Sequence, residues 1–166
     1  VSGDPRVVAL VAWQDLAPAS QGAVAALQIS VEQVDFAGTM ARSIAACEGA
    51  NPIEVAGLAI HVDGEIVGWV VLKRGASAPD WVEAGAAVVS GLRIDLRHQG
   101  RGIGALALAE MARWVARAWP GSTRMVLRVD DGNAAGIRAY EKAGWLECGE
   151  RRAGRVGLER ALSLRL

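Results

Sequence analysis

The stretch "VAGLAIHVDGEIVGWVVLKR", Val55 to Arg74, constrains the fold of this chain most. Two apolar, β-branched runs flank Asp63-Gly64, a dipeptide suited to the positive φ angles of a two-residue hairpin turn, so the segment predicts an antiparallel strand pair. Further on, "EAGAAVVSGLRIDL" predicts a third strand, "ALALAEMARWVARAW" an amphipathic helix stopped at Pro120-Gly121, and "RMVLRVD" another strand. "NAAGIRAYEKAG" then reads as a helix closed by Gly144, and "RVGLERALSLRL" as one or two final strands. Ahead of the hairpin, "VVALVAW" predicts a first strand, Val7 to Trp13, and "PASQGAVAALQ" a short helix with Pro18 in its first turn. "SVEQVDFAG" carries an S-x-x-Q capping box on Ser30 and Gln33 with a stop at Gly38, and another helical segment is expected over Arg42 to Glu48. Antiparallel strands first and a parallel crossover later describe an α/β chain.

A length of 166 residues is that of one ordinary domain. Eighteen basic and eighteen acidic side chains cancel, so no global field favours nucleic acid or an anionic membrane, and charge recognition must be local. Apolar runs such as "IVGWVVL" are too short to span a bilayer, and "VSGDPRVV" lacks the pattern of a signal peptide, which makes a cytoplasmic protein the expectation. Cys47 and Cys148 lie far apart without a C-x-x-C or Cys/His pattern, so neither a redox pair nor a metal site is expected. The six tryptophans are scattered, as packing residues are.

The stretch "RHQGRGIGALAL", Arg97 to Leu108, admits two readings. Gly100, Gly102 and Ala105 satisfy the dinucleotide fingerprint G-x-G-x-x-G/A, while Gln99, Gly102 and Gly104 satisfy Q/R-x-x-G-x-G/A. In a dinucleotide fold the first glycine follows the first strand almost directly and an acid about twenty positions on binds ribose. Here the motif comes late, Asp95 to Gln99 separate it from its strand, and a hairpin precedes it, which disfavours that fold. In either reading a glycine-rich turn entering a helix presents unpaired N–H groups and the positive end of the helix dipole to one anion. No Ser, Thr, Asp, Asn or Glu occupies that first turn, the first acid on the helix being Glu110, and Arg97 and Arg101 add positive charge.

"LRIDLRHQGRGIG" resembles motif A of the GNAT N-acetyltransferases, and "NAAGIRAYEKAGW" resembles their second signature, N-x-x-A-x-x-x-Y-E-K-x-G-F/W, with Gly136 where another small residue is usual. The hairpin matches the strands that precede motif A, and within the family the chain is most similar to bacterial spermine/spermidine-type acetyltransferases. The resemblance implies a mixed, mostly antiparallel sheet of six to seven strands, splayed at the motif A strand and flanked by about four helices. It implies acetyl-CoA as cosubstrate, no metal, a small-molecule amine as partner, and a possible homodimer.

Carried over by position, the amides around Gln99, Gly100, Arg101, Gly102, Ile103 and Gly104 hold the pyrophosphate. Leu92 and Ile94 pair their backbone with the pantetheine arm, with a bulge at Gly91 helping the strand depart from its neighbour. Asn133 matches a cofactor-contacting Asn or serves as an N-cap. Tyr140, the only tyrosine, occupies the place of the acid that protonates the departing thiolate. The general base is unassigned: Val88 stands where some relatives carry Glu, and Glu83, Asp80, Glu54, a water chain, His61 and His98 remain open. If the early helices line the acceptor site, Glu32, Asp35, Glu48 or Glu54 would suit a polyamine. A non-catalytic acyl-CoA-binding domain is the rival expectation.

Overall fold

The computed structural model describes residues 6–166. One seven-stranded sheet runs through it in the order β1-β2-β3-β4-β5-β7-β6, with β1 at Val8–Ala12, β2 at Val55–Val62, β3 at Glu65–Lys73, β4 at Ala86–Ile94, β5 at Arg124–Asp130, β6 at Leu146–Ala153 and β7 at Leu158–Arg165. Every neighbouring pair is antiparallel except β4 and β5. The helices are α1 (Pro18–Ala25), α2 (Val31–Ala37), α3 (Met40–Ala45), α4 (Ile103–Ala118) and α5 (Ala134–Lys142).

The local chemistry explains most of these boundaries. Asp63 and Gly64 both take positive φ, 51° and 87°, as a twist-matched hairpin turn requires. Ser30 accepts from the Gln33 amide while the Gln33 side chain accepts from the Ser30 amide, which closes the capping box on α2. The helix expected over Arg42 to Glu48 instead begins at Met40, because the Thr39 side chain caps it by accepting from the Arg42 amide. The final segment "RVGLERALSLRL" holds only one strand, β7; its partner β6 lies in "LECGERRA", an almost wholly exposed edge strand whose charged residues hide the usual apolar alternation.

The central strands are buried on both faces. Leu58, Ile60, Val70 and Leu72 face α4, whose Ala107, Leu108, Met111 and Val115 belong to the same core. Ala59, Trp69 and Val71 point the other way, against Val24 of α1, Leu27 just after it, and Met40 and Ile44 of α3. Trp145, Trp119 and Trp69 are buried packing residues. No helix among the described residues is long and apolar enough to cross a membrane.

Candidate active site

The sheet opens at its one parallel junction. β4 and β5 are paired only at Ala86 with Arg124, Ala87 with Met125 and Val88 with Val126. Beyond that point β4 continues to Ile94 and β5 to Asp130 as separate edges. On its other side β4 slips in register against β3 between Trp69 and Val71, and Gly91 at that slip has a φ of 68°. The bulge bends the strand, as a residue in left-handed geometry at a register slip does. A cavity fills the resulting wedge, lined by Val89, Gly91 and Leu92 from β4, by Leu127 to Asp130 from β5, and by Asn133 and Tyr140. Asp35 to Ala37 of α2 and Arg155, Val156 and Glu159 around the β6–β7 turn close its far side.

The glycine turn lies beyond the end of β4. Gly100 and Gly102 take φ of 72° and 75°, conformations that other residues adopt only with strain. Gly102 is the N-cap of α4 and supplies no side-chain hydrogen bond. A Cβ on Gly100 would meet nothing within 4 Å, and one on Gly104 would meet only the Ala139 methyl at 3.9 Å. Space is thus open beside Gly100 and Gly104, and at Gly102 a Cβ would lie 3.9 Å from the Arg6 guanidinium, a cradle whose arrangement suits an anion arriving from outside.

Behind the turn everything is satisfied internally. Asp95 is wholly buried and accepts from the amides of Gln28 and Arg97 and from the Arg97 guanidinium at 2.8 and 3.1 Å. The Arg97 bonds hold its carboxyl well below the usual carboxylate range. Arg97 is consequently paired, and its charge is not free for the turn as the sequence suggested. Gln99 sends its side chain away from the cradle: Nε2 donates to the Ile94 carbonyl at 3.0 Å and to Gln33 Oε1 at 2.7 Å. The same carbonyl accepts from Gln33 Nε2, so the tip of β4 is tied to α2.

Tyr140 sits on α5 with its ring tilted against buried Trp145 at 6.0 Å. Burial pushes its phenol up to about 12, so it keeps its proton throughout the physiological range. Asn133 caps α5 through its Oδ1, which accepts from the Gly136 amide at 2.9 Å. A Cβ at Gly136 would lie 2.6 Å from Asn133 Nδ2, which accounts for glycine at that position. Tyr140, Asn133 and Leu92 thus share one cavity, with the cradle beyond the end of the same strand.

The acids considered from sequence for proton removal do not line the wedge. Glu54 braces Ser77 and Ala76, Glu83 pairs with Arg124, and His98 meets Glu65 at 3.3 Å. His61 on β2 faces elsewhere in the sheet. The carboxylates that do line it are Asp35, Asp130 and Glu159. Asp130 carries one oxygen, Oδ2, that is buried and unbonded, while Oδ1 accepts from Gly132. Its position at the tip of an interior strand was the available sequence signal. Arg93 was also missed, since an arginine inside an apolar strand normally marks a solvent-facing position.

Among solved structures, this fold is similar to the aminoglycoside acetyltransferase AAC(6')-Ib in complex with coenzyme A, at 17% identity over 96% of this chain and 95% of that one, TM-score 0.73. It is similar to the GNAT domain of S. lividans PAT, at 27% identity over 96% and 89%, TM-score 0.67. It also resembles spermidine N-acetyltransferase from Vibrio cholerae in complex with CoA and spermine, at 14% identity over 95% of each chain, TM-score 0.69. No curated protein sequence gives a significant match. A family profile described as Acetyltransferase (GNAT) family matches residues 30–145, spanning the splayed strand, the glycine cradle and the tyrosine helix, and the chain belongs to that family.

Proposed function

We propose that the chain is an N-acetyltransferase that moves acetyl from acetyl-CoA to a primary amine by direct attack. The observation that carries this reading is the wedge between β4 and β5, which holds Tyr140, together with the glycine-capped start of α4 that follows β4 in the chain. Acetyl-CoA, when bound, supplies a thioester carbonyl there. The cradle from Gln99 to Gly104 suits its pyrophosphate, with the backbone amides of Gly100, Arg101, Gly102, Ile103 and Gly104 as donors. The free edge of β4 at Leu92 suits the pantetheine arm, which can add to it as a strand adds to a sheet. Ile94 contributes less than sequence suggested, since its carbonyl already accepts two side-chain amides. Asn133 lines the same cavity and keeps α5 in place through its cap.

The amine nitrogen attacks the carbonyl carbon, the C–S bond breaks, and Tyr140 gives its proton to the departing thiolate. A phenol held at about 12 is neutral before the step and regains its proton readily afterwards. Asp130, with its unbonded buried Oδ2, is the group we assign to receive the amine proton. Tyr140→Phe is expected to lower kcat by about a hundredfold or more with little change in acetyl-CoA affinity. Unchanged turnover at saturating substrates removes that role from Tyr140. Heat stabilisation by CoA without acetyl-CoA consumption across an amine panel would favour the non-catalytic alternative.

A further inference from the structure

A second cavity, of about 350 Å3, lies next to the wedge and shares Phe36, Ala37, Gly91 and Arg155 with it. Its charged lining consists of Arg42, Lys73, Arg93 and Arg155, without a carboxylate. In a chain whose charges cancel overall this is a marked local segregation. The wedge is mixed instead, with Asp35, Asp130 and Glu159 alongside Arg128 and Arg155, so carboxylates that could meet an ammonium stand only on that side. The two cavities meet at the bulge of β4, so one molecule can enter both.

Arg93 is the core of the positive side. Only 2% of it is exposed, and it has no ion pair among the described residues. Its guanidinium donates to neutral groups alone: the carbonyls of Ala37, Gly38 and Gly91 and the Ser43 hydroxyl. Burial lowers its affinity for the proton, to about 10, as expected for a guanidinium taken out of water. Carbonyl dipoles at the end of α2 offset part of that cost. A formal negative charge in the cavity above would offset much more. Because its donors are taken, Arg93 acts through its field, and Arg42, Lys73 and Arg155 are the side chains able to reach a ligand.

We propose that the acceptor is an amine that also carries an anionic group, a carboxylate or a phosphorus oxyanion, seated in the cavity of Arg42, Lys73 and Arg155 while its ammonium meets Asp130 in the wedge. This rests on the acetyl-transfer reading and replaces the polyamine expectation, since a polycation would place positive charge against four fixed cations. Of the acids that would suit a polyamine, only Asp35 lines either cavity.

The test compares acetyl transfer to acidic amino acids, their methyl esters, an aminoalkylphosphonate and spermidine. Esterification should lower kcat/KM at least about tenfold, the effect of removing charge-assisted hydrogen bonds. The phosphonate arm distinguishes the two anion types. Arg42→Glu with Lys73→Glu should reverse the order and favour spermidine. Esters or spermidine used as well as the acids by the unmodified protein overturn the anionic-acceptor proposal and leave acetyl transfer standing. Calorimetric titration with glutarate in the presence of CoA reads the anion seat without turnover. Binding that the double variant weakens at least about tenfold supports the seat even if no amine is acetylated, in which case the transfer reading alone fails. Absence of glutarate binding, or equal binding to the variant, overturns it.

Discussion

Two helices follow the two strands that splay apart, α4 after β4 and α5 after β5, and they begin differently. At α5 the Asn133 side chain satisfies the Gly136 amide, and the helix start is complete within the chain. At α4 the cap residue is Gly102, in left-handed geometry, which has no side chain to turn back to the amides. There the chain uses left-handed conformations open to glycine and gives the long helix an N-cap without a side-chain bond. The difference separates a helix start completed by its own side chain from one whose amides suit an external anion, as the proposed function requires. Asp95 sharpens the contrast, because the lead-in to the open turn is among the best-satisfied points in the molecule.

The strongest way to break the comparison is to complete the open helix start from within. Gly104→Asp puts a carboxylate in the first turn of α4, where the added Cβ would meet only the Ala139 methyl at 3.9 Å. Acetyl-CoA affinity should fall about a hundredfold while folding stability stays level or rises by about 0.3–1 kcal/mol, the usual gain of an acid at a helix start. Calorimetry with acetyl-CoA and chemical denaturation read the two effects separately. Equal affinity would mean that the bare amides do not hold the cofactor.

Removing the anchor behind the turn should give the next largest effect. Asp95→Ala leaves the Gln28 amide and Arg97 without their acceptor and is expected to cost about 2–3 kcal/mol of stability by urea denaturation. The pH dependence follows from the depressed folded-state pKa. Stabilisation from Asp95 is present above its ordinary value of 3.8 and is lost as pH falls through the lower folded value. Asp95→Asn should therefore differ most from the unmodified protein at neutral pH and converge with it in acid. Parallel curves across that range would remove the carboxylate from the account.

Smaller changes separate strain from capping. Gly102→Ala should cost about 1–2 kcal/mol of stability, because alanine resists the left-handed region, and should weaken acetyl-CoA as well. Asn133→Ala should cost about 1 kcal/mol, the usual loss of an N-cap. If Asn133 also contacts the cofactor, acetyl-CoA affinity falls with it; if affinity holds while stability drops, its role is the cap.

Much of the architecture was legible because it is written in short-range chemistry. Asp63-Gly64 states its turn, Ser30 and Gln33 state a helix start, and Gly144 states a stop. β6 was not legible, since its exposed positions carry charges and its pairing with β7 satisfies backbone groups that sequence does not display. The start of α3 was blurred for a related reason: Thr39 decides it through one hydrogen bond. At the site, Tyr140 and the glycine turn stood out by motif. Asp130, Arg93 and the cationic cavity did not, because they gather from segments as distant as Arg42, Lys73 and Arg155.

By itself the sequence determined the alternation of strands and helices, the glycine turn before α4, the absence of a capping side chain there and the single tyrosine of the later helix. These follow from dihedral preference, hydrogen-bonding inventory and local spacing. Tertiary structure alone decided how far β4 separates from β5, that Arg97 is neutralised by Asp95, that Gln99 ties to α2, and that four cations gather in a cavity without a carboxylate. The physical reason is that burial and charge balance depend on distances between residues remote in the chain, which no local pattern encodes.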